Sequence, residues 1–217
     1  MDNRTEYYLN TVEEADRHKL ADLKPSSRSY MPEDTQGKII KIIQDDPTGG
    51  YAFLSPSGWS KSTFLSALFH QALCRQPDHL FDYSHRSHRG FGGYTPVVMI
   101  DASRLLSQIE AWKYREGDTP IITVGKIEQM VKNDVFFTLI LDEFEKIRKT
   151  PFRMEESYNL INACYKARGK CQFIMAGNLT KDDLRDVNQF QEGTFRRVEA
   201  LTTTKEGKTH FWEFGRK

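Results

Sequence analysis

A serine-rich segment after a short apolar run has the spacing of a phosphate-binding loop. The run Tyr51–Leu54 predicts a buried strand, and residues 55–62 follow it as Ser-Pro-Ser-Gly-Trp-Ser-Lys-Ser. A phosphate loop has the pattern G-x-x-x-x-G-K-[ST] between a strand and a helix. The segment has this length and the Lys-Ser ending, although serine stands at both glycine positions. We expect Lys61 to reach the β- and γ-phosphates of a nucleotide and the Ser62 hydroxyl to bind Mg²⁺.

The two serines at the glycine positions, Ser55 and Ser60, bear on how well such a loop works. Glycine is used where the backbone needs a positive φ or where a ligand comes very close. If the usual loop geometry is kept, Ser60 costs roughly 1–3 kcal/mol in backbone strain. The alternative to a phosphate loop is an ordinary turn that caps a helix and leaves Lys61 in solvent.

The segment that follows the loop supplies the second part of the site. Residues Lys61–Cys74 carry apolar side chains at helical spacing, which predicts a helix. Backbone N–H groups at a helix N-terminus bind phosphate oxygens. The predicted cofactor-binding residues are therefore Ser57, Gly58, Trp59, Ser60, Lys61, Ser62 and Thr63.

A pair of acids follows the most apolar stretch of the chain. Residues 135–141, Val-Phe-Phe-Thr-Leu-Ile-Leu, predict a central strand that runs directly into Asp142 and Glu143. In nucleotide-hydrolysing proteins with a phosphate loop, a strand of this kind ends in acids that hold the metal and prepare a water. We expect Asp142 to bind Mg²⁺, directly or through water, and Glu143 to polarise the attacking water. The alternative is a strand that runs into an acidic helix cap.

Strands alternate with helices along most of the chain, which predicts a parallel sheet with helices on both faces. In such sheets ligands bind at the carboxyl ends of the strands. Ahead of the first strand, Glu6–Leu20 predicts a short helix. The polar residues 75–94 predict a long surface loop. At the end, Val198–Leu201 and His210–Phe214 predict a hairpin.

Composition limits the class of protein. The chain has 217 residues, 38% hydrophobic and 28% charged, which fits one globular α/β domain at 36–217 behind an N-terminal extension at 1–35. No apolar run approaches the roughly 20 residues that span a bilayer, so no membrane is expected. The polar N-terminus does not resemble a signal peptide. Three cysteines without CxxC spacing indicate reduced thiols and a cytoplasmic location.

The motifs, taken in this order, resemble the DnaC/IstB group of AAA+ ATPases, which are bacterial helicase loaders and transposition regulators. The resemblance covers about residues 45–203. The similar stretches are YAFLSPSGWSKSTFLSALFHQAL at 51–73, LILDEFEKIRKTPFRMEESYNLINA at 139–163 and FIMAGNLT at 173–180. The two serines of the phosphate loop depart from the family, and they bear on hydrolysis more than on the fold.

The resemblance implies a five-stranded sheet in the order 5-1-4-3-2, without a full lid domain, and nucleotide bound between neighbouring subunits of a homo-oligomer. It implies that Asn178, after the fourth strand, helps to position the water against the γ-phosphate. It also implies an arginine finger shortly before the last strand, which would enter the next subunit's site and offset charge on the γ-phosphate. Arg196 and Arg197 both occupy that place, and the sequence does not choose between them.

These features predict an ATP- and Mg²⁺-binding AAA+ protein that hydrolyses ATP, with turnover placed in question by the non-glycine loop. It is expected to oligomerise and to act on DNA or on a DNA-bound replication or transposition machine, with a helicase or a transposase as partner. The first alternative is a degenerate P-loop interaction module with weak or no ATPase activity. The second is a P-loop kinase for a small molecule, which the acids after the third strand and Asn178 disfavour.

Overall fold

The computed structural model of the chain describes residues 3–14, 17–76 and 95–214. The loop predicted at 75–94 therefore lies outside the described residues, except for its first two. The helices are α1 (Asn3–Thr11), α2 (Glu33–Asp45), α3 (Lys61–Arg75), α4 (Ala102–Lys113), α5 (Val124–Lys132), α6 (Pro151–Lys166), α7 (Lys181–Arg185) and α8 (Thr194–Leu201). The strands are β1 (Tyr51–Leu54), β2 (Val97–Asp101), β3 (Phe137–Asp142), β4 (Cys171–Gly177) and β5 (Phe211–Glu213). Single 3-10 turns occupy Leu20–Asp22 and Phe144–Lys146.

The five strands form one parallel sheet in the order β2-β3-β4-β1-β5. This is the order 5-1-4-3-2, so the α/β fold class and the strand order are confirmed. The register pairs Leu54 with Gly177 and Asp101 with Asp142. Because these pairs end their strands, the phosphate loop, the acids after β3 and the residue after β4 leave the sheet at one edge.

Helices cover both faces of the sheet because successive side chains of a strand point to opposite faces. In β1, Ala52 and Leu54 belong to one buried cluster, whereas Tyr51 and Phe53 belong to the other. The first cluster is completed by side chains from α4, α5, α6 and α8. The second is completed by side chains from α1, α2 and α3. Both faces of the central strands are therefore buried, as their continuous apolar sequences require.

The N-terminal segment packs on α3. Tyr8 and Val12 are buried in the same cluster as α3, and the Tyr8 ring lies 6.0 Å from the Phe69 ring. The helix predicted at Glu6–Leu20 is too long at its C-terminal end, because α1 stops at Thr11. The Arg17 side chain donates to the carbonyls of Leu9 (2.9 Å) and Val12 (3.0 Å), and so satisfies helix-end acceptors that a longer helix would use itself. The domain boundary at residue 35 stays a prediction.

The C-terminal hairpin is present only as a small reversal, and its predicted first arm is wrong. Val198–Leu201 is the last turn of α8, not a strand. Phe195, Val198 and Leu201 are all buried, and this three-residue spacing suits a helix face. The reversal itself is one antiparallel bridge between Thr203 and Thr209, after which β5 pairs in parallel with β1. Between α8 and residue 214 the described chain has no further helix.

Within the described ranges, no helix is both long and apolar enough to cross a membrane.

Arg17 gives a test of the docked N-terminal segment. We expect Arg17→Ala to lower the free energy of unfolding by about 1–3 kcal/mol, because two carbonyl acceptors lose a charged donor. Urea denaturation followed by circular dichroism measures this change. Lys24→Ala, at an exposed position in the same segment, is the control and is expected to change the value by less than about 0.5 kcal/mol. Equal stability of the two variants would show that the Arg17 contacts do not hold the segment.

Candidate functional site

The phosphate loop keeps a backbone conformation that normally calls for glycine. Ser60 has φ 61° and ψ 19°, in the left-handed region, and Gly58 has φ 81°. A serine in this region costs roughly 1–3 kcal/mol. Ser55, at the other glycine position, is buried and is not among the residues with positive φ. Of the two serines, therefore, only Ser60 has the backbone strain that is expected where serine replaces a glycine of the loop.

Lys61 is held at the mouth of the loop. Its ammonium group donates to the carbonyl oxygen of Ser55 and, at 2.9 Å, to that of Pro56. Burial lowers the pKa of Lys61, while the negative charges of Glu145 and Asp142 act in the opposite direction. Among the described residues no carboxylate bonds to the lysine, yet it lies in the field of Glu145 and Asp142.

The start of α3 offers the free backbone donors that an anion needs. The helix has 15 residues, it begins at Lys61, and no side chain caps its N-terminus. Ser57, Gly58 and Ser62 are exposed around it, while Thr63 is half-buried. An anion at this point would meet unpaired N–H groups at the positive end of the helix dipole.

Contacts from distant parts of the chain hold the loop in place. The Trp59 ring stacks on the Phe214 ring, with centroids 5.5 Å apart and planes at 21°. On the other side, the backbone N–H of Tyr30 donates to the Gly58 carbonyl at 2.9 Å. The loop is therefore fixed both by the residue after β5 and by the N-terminal segment. The predicted part of Trp59 in binding a cofactor stays a prediction.

The acids after β3 are arranged by a second left-handed residue. Glu143 has φ 52° and ψ 40°, and its backbone N–H donates to Asp142 Oδ1 at 2.7 Å. Burial raises the pKa of Asp142, and this effect is opposed by the Glu143 N–H and by the charge of Lys61. The left-handed turn keeps the Asp142 carboxylate at the sheet edge and directs Glu143 towards β2.

At β2, Glu143 meets an acid that the sequence analysis did not single out. The hydrogen bond to the Asp101 carboxyl raises the pKa of Glu143, whereas Lys146, which also bonds to Glu143, lowers it. Burial of Asp101 raises its pKa, but hydrogen bonds from Glu143 and from the Arg104 N–H (2.8 Å) bring it below its usual value. The pair therefore shifts the two pKa values in opposite directions, upward at Glu143 and downward at Asp101. In the sequence, Asp101 is recognisable as an acid that directly follows the short apolar run Val97–Ile100.

A second overlooked acid connects β3 to β4. The Glu145 carboxylate accepts the backbone N–H of Asn178 at 2.9 Å. Next to it, Gly177 accepts the Ser55 N–H through its carbonyl at 3.1 Å. Asn178 is thus joined through Glu145 to the turn at residues 142–146, and it lies beside the phosphate loop. Nothing in local spacing predicts the Glu145 contact, which spans 33 residues.

The two candidate finger arginines lie apart from this cluster. Both belong to α8, where the Arg197 guanidinium lies 4.3 Å from the centre of the Tyr165 ring and Arg196 is exposed. The structure therefore brings neither arginine to the phosphate loop of its own chain. A role of either arginine in the site of a neighbouring subunit stays a prediction.

One cavity of about 1340 Å³ gathers the predicted metal-binding and water-activating residues. Ser62, Asp142, Glu143 and Asp101 line it together with residues of α1, α4 and the segment 117–121. Hydroxyl and carboxylate oxygens are ligands that suit Mg²⁺, which usually takes one or two protein groups together with phosphate oxygens. The described residues contain no group of three or more His, Cys, Asp or Glu that could hold a metal on its own. The side chains fit a nucleotide-bound Mg²⁺ better than a resident metal.

The sheet order and the phosphate loop define the fold of the AAA+ P-loop proteins, and comparison with solved structures agrees. A crystal structure of the DnaC helicase loader is similar, with a TM-score of 0.54 over 90% of this chain and 96% of that chain. The sequences are 14% identical, so the likeness shows a DnaC-like AAA+ fold and does not by itself show an activity. In all, 11 chains of known structure match. No protein-family model and no curated protein sequence matches.

The left-handed serine predicts an unusual effect of glycine. We expect Ser60→Gly to relieve strain, whereas Ser57→Gly, at a position without positive φ, only adds entropy to the unfolded chain. The free energy of unfolding of Ser60→Gly should exceed that of Ser57→Gly by about 1–3 kcal/mol. Chemical denaturation of the two variants measures the difference. Equal values would mean that Ser60 is not strained.

The Asp101–Glu143 pair predicts a shifted titration. We expect Asp101→Asn to lower the pKa of Glu143, because protonated Glu143 loses the carboxylate to which it donates. Glu143 should then release its proton at a lower pH than in the wild type. NMR titration of ¹³C-labelled glutamate carboxyl groups follows this, with the Glu143 signal assigned by its loss in Glu143→Gln. Asp118→Asn changes an exposed acid that lines the same cavity and should leave the titration unchanged. An unshifted Glu143 in Asp101→Asn would contradict the pairing.

Proposed function

We propose that this chain binds ATP with Mg²⁺ at residues 55–62 and hydrolyses it, and that it assembles with copies of itself and acts on DNA or on a DNA-bound machine. The observation that supports nucleotide binding most directly is the convergence of Ser62, Asp142 and Glu143 on one cavity. Lys61 lies within electrostatic reach of Asp142 and of Glu145. The parallel sheet and the DnaC-like fold provide the framework in which such a set is used.

Each side chain has a task that its position suits. The free N–H groups of the loop and of the start of α3 bind phosphate oxygens, and the Lys61 ammonium adds a positive charge. Ser62 and Asp142 would hold the cation, which would neutralise phosphate charge when bound. Glu143 polarises the attacking water, and Asn178 orients it. To do this, Lys61 must exchange the carbonyls of Ser55 and Pro56 for phosphate.

Glu143 needs a corresponding change before it can act on water. In the described state its carboxyl group bonds to the Lys146 ammonium and faces the Asp101 carboxyl, which raises the pKa of Glu143. A base must be unprotonated and free to reach the water. Loss of the Asp101 and Lys146 contacts therefore belongs to the productive state of the proposed enzyme.

Self-assembly and DNA-directed action belong to the same proposal. The location of Arg196 and Arg197 on α8, away from their own phosphate loop, fits a finger that serves the neighbouring subunit. The similar DnaC structure is that of a helicase loader. We therefore propose a helicase or a transposase as the DNA-processing partner, and the cytoplasm as the location.

A degenerate module that binds nucleotide weakly is the second candidate. It is favoured by the strain at Ser60 and by the bonds that tie Lys61 to its own loop, because both must be overcome when phosphate enters. In that case the chain would work through its surfaces, and the acids would be structural.

ATP binding and turnover separate the two candidates. We expect wild-type protein to bind ATP in a Mg²⁺-dependent manner, measured by calorimetry, and to release phosphate. Glu143→Gln should retain binding and lose turnover by about 10²–10⁴-fold, because the group that polarises the water is gone. Lys61→Ala should lose binding, whereas Lys41→Ala, at an exposed position in α2, is the matched control and should behave as the wild type.

The outcomes assign the function. Absence of Mg²⁺-dependent ATP binding at millimolar nucleotide would exclude the ATPase. Binding without turnover in the wild type would favour the degenerate module. Turnover that persists in Glu143→Gln would show that another group prepares the water.

A further inference from the structure

We propose that Glu145 is a positioning residue, whose carboxylate fixes Asn178 relative to the acids after β3 and to the phosphate loop. The inference rests on the proposed ATP site for its consequence, but the contact itself does not depend on nucleotide. The sequence predicts a role for Asn178 and none for Glu145. The geometry points to the two residues as one unit.

The chain is anchored so that Glu145 turns back towards β4. After Glu143, the 3-10 turn Phe144–Lys146 buries the Phe144 ring, which stacks on Phe190 with centroids 5.2 Å apart. This packing fixes the backbone on which Glu145 sits. Its Oε2 atom then accepts the Asn178 N–H at 2.9 Å. A charged acceptor makes this a strong hydrogen bond.

Gly177 allows the close approach. A Cβ atom at this position would lie 3.0 Å from Glu145 Oε2 and 3.3 Å from Phe144 Cβ, so a larger residue would push the carboxylate away. The Gly177 carbonyl meanwhile accepts the Ser55 N–H from the phosphate loop at 3.1 Å. One continuous set of contacts therefore runs from the turn at residues 142–146 through Asn178 and Gly177 to Ser55.

Two lysine ammonium groups lie near the Glu145 carboxylate. Besides Lys61, the Lys149 ammonium lies in its field, at 3.6 Å from the centre of the Phe190 ring. That ammonium is buried and has no hydrogen-bond partner in the part of the chain that the structure describes. Two positive charges are therefore near the carboxylate that accepts from Asn178.

Asn178 gains its place in the site through this bond. β4 ends at Gly177, so the sheet no longer fixes the backbone of Asn178. Beyond the last backbone hydrogen bonds of the sheet, the Glu145 carboxylate holds the Asn178 backbone, from which the amide side chain projects. Without the hydrogen bond to Glu145, the Asn178 side chain would no longer be held in position to contact a water near Glu143. The turnover rate would then fall more than the affinity for nucleotide.

The test separates the contact from its catalytic consequence. Amide hydrogen exchange of Asn178, measured by NMR without nucleotide, should be about tenfold faster in Glu145→Ala, because the amide loses its acceptor. Exchange of Met175, in the centre of β4, should not change. Glu145→Gln keeps an oxygen acceptor and should restore most of the protection. Gly177→Ala shifts the carboxylate by a few tenths of an ångström instead of removing it, so it should speed exchange by less than Glu145→Ala does.

Kinetics provide the second measurement. We expect kcat to fall about tenfold in Glu145→Ala, with KM for ATP within about twofold, and most of kcat to return in Glu145→Gln. Glu155→Ala, an exposed acid of α6, is the matched control. Unchanged exchange at Asn178 in both Glu145→Ala and Gly177→Ala would overturn the proposal, and so would faster exchange with wild-type kcat. If the wild type lacks ATPase activity, the proposed function fails, while the exchange data still decide whether Glu145 positions Asn178.

Discussion

The pairing of β4 between β3 and β1 is the constraint on which the rest of the structure depends. Parallel strands in this register end together, so three loops that are far apart in sequence leave the sheet side by side. Each loop then contributes a different kind of group: free N–H donors, carboxylates, and an amide. The hydrogen bonds Ser55 to Gly177 and Asn178 to Glu145 continue the ladder beyond the last paired residues. The site is in this sense an extension of the sheet.

Backbone strain is concentrated at this same edge. Ser60 and Glu143 are two of the four non-glycine residues with positive φ in the described chain. Ser60 lies two residues before Ser62, and Glu143 directly follows Asp142, so both are near the residues predicted to hold the metal. Such conformations persist only where surrounding contacts determine them. Around Ser60 these contacts are the Tyr30–Gly58 hydrogen bond and the Trp59–Phe214 stack, and at Glu143 they are the bonds to Asp142, Asp101 and Lys146.

The sequence was most informative where local pattern and function coincide. Apolar runs marked β1, β3 and β4, the acids after residue 141 marked the sheet edge, and the resemblance supplied the strand order. It was less informative where the decisive contacts are long-range. Asp101 and Glu143 meet only because β2 and β3 pair in register, and the Arg17 contacts that end α1 lie beyond its periodic segment. At Val198–Leu201 a short segment with apolar residues on both sides of Glu199 suited either a strand or a helix, and packing of α8 on the core decided it.

The stacked pair Trp59 and Phe214 gives the phosphate loop a built-in optical label. Indole emission depends on what lies against the ring, and this indole sits inside the loop itself. The chain has three tryptophans, and Trp112 and Trp212 lie on α4 and β5, outside the loop. A chain that keeps Trp59 alone would therefore report movements of its loop through native fluorescence, with no dye attached and no modified nucleotide.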